Sequence, residues 1–317
     1  MIGASYKGGC LHQSLTNASA FARFRRDASC AFAAPPMDVA QSYAEHIAAF
    51  QPGILAFLPR LVSQDAIGGP EVFLPVDVPL MTSYLSPHLA RFTATAASLA
   101  THFGDLSGFD IVEIGCGYGG LTKVLFDLFP LASYTLIDIP EAMALQSKFL
   151  QHFPDVARDS AFVYFPDDEE EPATGLLPRY DLVISTFAFS ELDYRWRDRY
   201  FREVILRSER GFMVFNDQLG HAKHSGHHSV FGCSPADRRV FSTVGSVPAS
   251  YFCPFAALLA SHGFSVDLRP YSDVVPKCRD KSERFKCGEV VVLAWARTEE
   301  CLTSPCYGGS TNGDHQS

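Results

Sequence analysis

The segment Val112-Glu113-Ile114-Gly115-Cys116-Gly117-Tyr118-Gly119-Gly120 is the most informative part of this sequence. Phe109–Ile114 is an apolar run whose composition predicts a buried β-strand. Leu121–Phe129 carries apolar residues at helical spacing and ends before Pro130. Glycines between a strand and a helix let the backbone turn sharply and approach a ligand closely. The segment therefore predicts a strand, a ligand-binding loop and a helix, in that order.

Strands and helices continue to alternate after this loop. Alternation of this kind predicts a parallel sheet with helices on both faces. The last two strands differ, because the polar linker 270–288 between them contains Pro276 and offers no crossover helix. We expect those two strands to pair antiparallel. The strands after the first are predicted at Tyr134–Ile137, Ala161–Phe165, Asp181–Thr186, Gly211–Asn216, Phe264–Arg269 and Glu289–Arg297. The fold class is α/β, a Rossmann-like, doubly wound and mostly parallel seven-stranded sheet with an antiparallel last strand.

Breaker residues divide the rest of the chain. Residues 38–104 contain helical patterns interrupted by many prolines and glycines, and they predict a helical N-terminal cap or lid. Its last helix begins at Pro87, with Ser86 as the N-cap. We expect a weakly ordered leader over residues 1–37, the ligand-binding domain over 105–298, and a disordered tail over 299–317.

Composition excludes several classes of protein. The 317 residues carry 26 Lys+Arg against 35 Asp+Glu, a formal net charge of -9. Nucleic acid is not an expected partner, because phosphate binding needs clustered Lys and Arg. No apolar run reaches the roughly 18 residues of a membrane-spanning helix. The nine cysteines include no CxxC pair, which favours a reducing, cytoplasmic location. Composition does not indicate an oligomeric state.

The leader leaves a second location open. Residues 1–37 contain one acidic residue, Asp27, against Lys7, Arg23, Arg25 and Arg26. This composition is typical of an organelle transit peptide and also of a disordered leader.

The glycine loop is compatible with two classes of cofactor. Gly115-x-Gly117-x-x-Gly120, with Asp138 18 residues further on, matches the dinucleotide-binding fingerprint. Glu113, two residues before the first glycine, would repel a pyrophosphate and attract a cationic group. S-adenosylmethionine carries an ammonium and a sulfonium and no phosphate, so Glu113 favours this cofactor. An NAD(P)-dependent oxidoreductase and a non-catalytic binding module with the same fold remain the alternatives.

The loop motif, Asp138 at the end of the second strand and the terminal hairpin together resemble class I S-adenosylmethionine-dependent methyltransferases. From about Asp65 to Asp217 the chain also resembles the sugar O-methyltransferase group of that superfamily. The similar segments are Ile67–Pro70, Leu85–Pro87, Phe103–Phe109, Val112–Leu121, Leu136–Glu141, Ser185–Leu192 and Phe215–Asp217. The resemblance implies methyl transfer from S-adenosylmethionine to a hydroxyl of a sugar or a glycosylated metabolite.

The resemblance implies cofactor contacts by side chains and by the loop backbone. An ionised Asp138 accepts hydrogen bonds from both ribose hydroxyls, and Ile139 packs on the adenine. Asp167, after the third strand, either accepts from the adenine amino group or belongs only to the solvated acidic loop 167–171. The loop contributes its backbone to the methionine and ribose part of the site. The complete expected set is Glu113, Gly115, Gly117, Tyr118, Gly119, Asp138, Ile139, Asp167 and Ser185.

Methyl transfer to a hydroxyl is an in-line displacement that needs alignment and a general base. The base is expected over the carboxyl ends of the strands, where ligands of open α/β sheets bind. His221 or His224 is the leading candidate, with Asp217 and Glu191 as competitors. The histidines around position 224 also suggest a metal site, but Mg²⁺ prefers carboxylate oxygens and Zn²⁺ needs a defined ligand set. We therefore expect no metal.

Overall fold

A computed structural model describes residues 10–26, 35, 37–70, 74–78, 81–168, 171, 173–215, 254–270 and 291–298. Among the described residues, the N-terminal part has four short or medium α-helices, a two-stranded ribbon and one long helix. These elements are α1 (Cys10–Thr16), α2 (Ala18–Phe21), α3 (Met37–Phe50), α4 (Leu58–Leu61), β1 (Leu74–Val78), β2 (Met81–Leu85) and α5 (Pro87–Phe103). The Ser86 hydroxyl caps α5 by accepting a hydrogen bond from the Leu89 N–H at 3.1 Å.

Seven strands form the central sheet, as the sequence predicted. They are β3 (Asp110–Ile114), β4 (Ser133–Ile137), β5 (Ser160–Val163), β6 (Tyr180–Thr186), β7 (Ser208–Phe215), β8 (Phe264–Pro270) and β9 (Val291–Arg297). Their order is β5-β4-β3-β6-β7-β9-β8. The pairs among β3 to β7 are parallel, and β9 pairs antiparallel with both β7 and β8. The predicted fold class, including the antiparallel last strand, is confirmed.

Helices cover both faces of this sheet. They are α6 (Gly120–Leu128), α7 (Pro140–Leu150), α8 (Pro154–Arg158), α9 (Ala188–Glu191), α10 (Tyr194–Glu203) and α11 (Pro254–Ser261). Side chains alternate along β3, so Ile111 joins one apolar cluster and Val112 the other. The first cluster also includes Leu89 of α5, and the second includes Phe255 of α11.

Parts of the N-terminal region pack against the central sheet. Residues 10–26 are largely helical, and Phe24 is only 1% exposed. Ile47 of α3 and Leu99 of α5 belong to the same apolar cluster as Ile111 of the sheet. The described helices α3 and α5 therefore pack in the same core as the sheet, a contact that the spacing of apolar residues along the sequence does not reveal.

The hairpin β1–β2 was also unexpected. Pro75 is one of the prolines that predict interrupted helices over residues 38–104, but it lies opposite Tyr84 in an antiparallel two-stranded ribbon. A ribbon has two free edges, so a proline can occupy a position where no N–H is required.

Among the helices of the described residues, none combines the length and the hydropathy that a membrane crossing requires.

Candidate cofactor-binding site

The glycine loop lies at the carboxyl end of β3 and leads directly into α6. Gly115, Gly117 and Gly119 have φ values of +75°, +58° and +87°. A Cβ on Gly115 would lie 2.0 Å from the Cβ of Ala188 in α9. The left-handed conformation and this close approach both require glycine at position 115. The loop is therefore packed against the segment that follows β6.

Asp138 follows β4, and its carboxyl accepts hydrogen bonds from the glycine loop, from Ile139 and from α7. Its Oδ2 accepts from the Cys116 N–H at 3.0 Å and from Gln146 Nε2 at 2.9 Å. Its Oδ1 accepts from the Ile139 N–H at 2.9 Å. Burial raises the pKa of the Asp138 carboxyl to about 6, and the three donors oppose that rise. The carboxyl is thus fixed between the loop and the start of α7, next to Ile139.

Glu113 lies in the core beside β4. Its side chain is buried, and its Oε2 accepts a hydrogen bond from the Tyr134 hydroxyl at 2.8 Å. Burial, reinforced by the charge of Asp138, raises the pKa of Glu113 to about 8. The carboxyl is therefore neutral at pH 7, whereas the sequence analysis assigned it a negative charge facing a cationic ligand. That contact stays a prediction.

Tyr118 anchors the loop through its buried side chain. The ring centroid lies 5.3 Å from that of Phe24, 5.6 Å from that of Phe92 and 5.0 Å from that of Phe149. The Arg25 guanidinium lies 5.2 Å from the same ring centroid. The side chain thus packs in the core, which leaves the backbone of Tyr118 for the ligand contact that the sequence predicted.

A buried ion pair holds the N-terminal segment against the loop. Arg25 donates to Asp65 at 2.7 Å and to the Ser86 hydroxyl at 2.5 Å, and Asp65 also accepts from the Ser86 N–H at 2.7 Å. A Cβ on Gly68 would lie 2.4 Å from the ring of Phe24. Sequence reasoning missed this network, since its members are 21 to 61 residues apart and form no local pattern.

The segment after β6 is held tightly. Ser185 is fully buried, donates to the Ile114 carbonyl at 2.8 Å and accepts from the Phe189 N–H at 3.1 Å. These bonds tie β6 to β3 and cap the following turn. Phe187 has φ +72°, the one positive value at a non-glycine residue within the described ranges. Such a conformation costs about 1–3 kcal/mol and is typical of functional sites.

Arg199 of α10 organises the loop after β5. Its side chain is 2% exposed and donates to the Pro166 carbonyl at 2.7 Å and to the Asp168 carbonyl at 3.2 Å. Asp167, between these two carbonyls, is exposed. The structure thus gives the predicted adenine-binding residue a fixed backbone. No sequence signal singled out Arg199.

Of the four candidate bases, the structure describes one. Glu191 is exposed at the end of α9. Asp217, His221 and His224 lie outside the described residues. Within the part of the chain that the structure covers, no three His, Cys, Asp or Glu side chains are grouped as a metal site would require.

The residues at the ends of β3 and β4 fit S-adenosylmethionine. Three glycines at positive φ keep side chains away from the loop backbone. Asp138 presents an acceptor beside that loop, as two ribose hydroxyls require. Gln146 lies beside this loop and Asp138, and its buried Oε1 has no hydrogen-bond partner among the described atoms. A polar atom of the site therefore lacks a partner within the described part of the chain.

Comparison with known proteins agrees with this fit. Residues 112–205 match the family described as a methyltransferase domain. A malonyl-[acyl-carrier protein] O-methyltransferase of Anoxybacillus flavithermus is 34% identical over 118 residues, 36% of this chain and 42% of that protein. The enzyme of the same name from Bacillus anthracis is 32% identical over 97 residues, 31% of this chain and 33% of that protein. The chain thus spans less than half the length of these relatives.

A solved structure of the glycopeptide N-methyltransferase MtfA, in complex with S-adenosylmethionine, is similar at a TM-score of 0.41. It is 17% identical, and the alignment covers 65% of this chain and 93% of that chain. Residues 112–205 match a methyltransferase domain, and they lie within a seven-stranded sheet in which β9 is antiparallel to its neighbours.

Proposed function

We propose that this protein is an O-methyltransferase that transfers a methyl group to a hydroxyl of a sugar or a glycosylated metabolite. The observation that carries the proposal is Asp138, whose carboxylate is bonded to the glycine loop and to α7 at the carboxyl edge of the sheet. Bound S-adenosylmethionine supplies an electrophilic methyl group on a sulfonium. The sugar acceptor rests on the resemblance over residues 65–217.

The chain's own contribution is alignment. The loop backbone and the Asp138 carboxylate bind the cofactor on one side, and Arg199 fixes the backbone around Asp167 on the other. Holding donor and acceptor within reacting distance supplies a large part of the rate enhancement in such displacements. A sugar hydroxyl also requires a base, for which His221 or His224 is proposed, with Asp217 and Glu191 as competitors.

A carboxylate is the second candidate acceptor. The relatives named above are O-methyltransferases of malonyl-[acyl-carrier protein], and their similarity to this chain favours an acyl thioester with a free carboxylate. A carboxylate is already ionised at pH 7, so its methylation needs no general base. The two acceptors therefore differ in their dependence on the proposed bases.

The first experiment is calorimetric titration with S-adenosylhomocysteine, followed by mass-spectrometric assay with sugar hydroxyls and with malonyl-[acyl-carrier protein]. Methylation of a sugar that is lost in the His221→Ala and His224→Ala double variant supports the proposal. Methylation of the malonyl group alone, unaffected by that double variant, replaces the sugar with the carboxylate. Binding of S-adenosylhomocysteine with no transfer to either would favour a non-catalytic module.

Asp138→Ala tests the cofactor site. Loss of two charge-assisted hydrogen bonds to the ribose is expected to weaken S-adenosylhomocysteine binding by about 2–4 kcal/mol. Calorimetry measures this loss, with Asp155→Ala as an exposed control. A loss below about 0.5 kcal/mol, the size of an exposed contact, would remove Asp138 from the site.

A further inference from the structure

Gln146 connects the two parts of the cofactor site. It lies on α7 with its side chain fully buried. Its Nε2 donates to the Gly117 carbonyl and to Asp138 Oδ2, both at 2.9 Å. One amide group therefore bonds simultaneously to the glycine loop and to the carboxylate that follows β4.

The orientation of this amide is fixed by its surroundings. Two acceptor oxygens face Nε2, so a flipped amide would place its own oxygen against them. The Oε1 atom is buried, with no hydrogen-bond partner in the described part of the chain. Leaving a buried acceptor unpaired destabilises a core. The Nε2 donor is thus fully used by the glycine loop and Asp138 while Oε1 is unpaired, which indicates that glutamine is present at position 146 for its donor.

We propose that Gln146 is a positioning residue, which holds the Asp138 carboxylate and the Gly117 carbonyl in one arrangement so that the carboxylate meets the ribose. Gln146 acts through Asp138. The inference rests on the proposed function, in which Asp138 accepts hydrogen bonds from the cofactor.

Several titratable groups surround the carboxyl. Glu113 and Cys116, on β3 and the loop, and Tyr200, on α10, interact electrostatically with Asp138. Burial raises the pKa of each of these three groups, that of Glu113 to about 8. Glu141 is the acidic residue in the first turn of α7 itself. Because the pKa of Asp138 is about 6 and that of Glu113 about 8, the pH range 5.5 to 7.5 titrates Asp138 while Glu113 stays mostly protonated.

The test is titration with S-adenosylhomocysteine at pH 5.5, 6.5 and 7.5. In the unaltered protein, affinity is expected to increase with pH, because the ribose hydroxyls require an ionised acceptor. Gln146→Leu removes a donor that favours the ionised carboxyl. We expect its affinity at pH 7.5 to be lower by about tenfold or more, the size of one charge-assisted hydrogen bond. The midpoint of its pH profile is expected to move upward.

Gln146→Glu gives a readout that a purely structural role would not produce. At pH 7.5 the new carboxylate faces the Asp138 carboxylate and the Gly117 carbonyl, and repulsion weakens binding. At pH 6.5 the two carboxyls share a proton, which restores a donor to Asp138. Affinity is therefore expected to increase as the pH falls from 7.5 to 6.5, opposite to the profile of the unaltered protein.

Gln151→Leu, exposed at the C-terminal end of α7, is the matched control and is expected to keep the original profile. Thermal unfolding without ligand shows whether each variant is folded. Unaltered affinity in Gln146→Leu, or a Gln146→Glu profile parallel to the original, would overturn the inference while leaving the proposed function intact. If Gln146→Leu does not fold, the Gln146→Glu profile decides alone. Absence of binding to the unaltered protein at every pH would overturn the proposed function first and this inference with it.

Discussion

The variant Glu113→Gln distinguishes two roles of Glu113. The side chain is either a neutral group of the core or a negative charge that binds a cationic ligand. In the structure the Glu113 side chain is 1% exposed and bonded to the Tyr134 hydroxyl. Burial raises its pKa from 4.5 to about 8, with a further contribution from the negative charge of Asp138. Glutamine reproduces the shape and the neutral state of the protonated carboxyl and cannot ionise.

The magnitude follows from proton linkage. The folded-state pKa is raised, so the unfolded chain releases its proton near pH 4.5 while the folded protein keeps it until about pH 8. The free energy of unfolding therefore falls as the pH rises through this window. At about 1.4 kcal/mol per pH unit, the loss reaches about 3 kcal/mol at pH 7. Glutamine does not ionise, so the free energy of unfolding of the variant does not fall in this way. Its additional amide N–H costs part of this advantage, and the net increase in the free energy of unfolding at pH 7 is about 1–3 kcal/mol.

Urea denaturation of the ligand-free protein between pH 4.5 and 8 measures the effect. Glu113→Gln is expected to equal the original protein at pH 4.5 or to be less stable by up to about 2 kcal/mol, the cost of its additional N–H, and to exceed the stability of the original protein at pH 7. Tyr134→Phe, combined with Glu113→Gln in a double-mutant cycle, isolates the hydrogen bond between the two side chains. If the stability difference does not grow with pH, Glu113 is ionised in the folded protein and the reasoning from burial is refuted. A large loss of S-adenosylhomocysteine binding would then support the contact that the sequence predicted.

Two further comparisons test the loop and its supports. Gly115→Ala is expected to destabilise the protein by about 3 kcal/mol or more, because left-handed strain is added to the overlap with Ala188. Gly108→Ala, at a similar φ of +78° with open space around it, is expected to cost only about 1–2 kcal/mol, and equal losses in urea denaturation would show that the contact is unimportant. Arg199→Met is expected to cost about 2–4 kcal/mol, because it removes a buried cation that donates to the Pro166 and Asp168 carbonyls and pairs with Glu203, and to weaken S-adenosylhomocysteine binding through the loop after β5. Arg202→Met, on the same helix with its side chain 61% exposed, is expected to cost under about 0.5 kcal/mol, so similar losses for the two would refute the proposed role of Arg199.

The sheet and the glycine loop were predictable because their signals are local. Apolar runs of strand length alternate with helical patterns, and the order of these segments restricts the topology to a few arrangements. The antiparallel pairing of β8 and β9 was predicted because the polar linker 270–288, which contains Pro276, has no helical sequence pattern, and the two strands pair in this way. Asp138 was predicted at the end of the second strand of the sheet and lies there, next to β4.

The N-terminal layer was not predictable in the same way. Arg25, in a segment with the composition of a leader, is buried against Asp65 and Ser86. Proline-containing residues 74–85 form a hairpin. Both features depend on partners distant in sequence, and single-sequence patterns contain no information about such partners.

The sequence by itself determined the order of the strands and helices, the position of the glycine loop and the acid that follows β4. Each depends on the chemistry of neighbouring residues. Only the tertiary structure decided the electrostatic state of the site, because burial is a property of the assembled core. It placed Glu113 beside Tyr134 with a raised pKa, and it brought Gln146 and Arg199 to the loops that they hold. The same glutamate in an exposed loop would keep the charge that the sequence alone suggests.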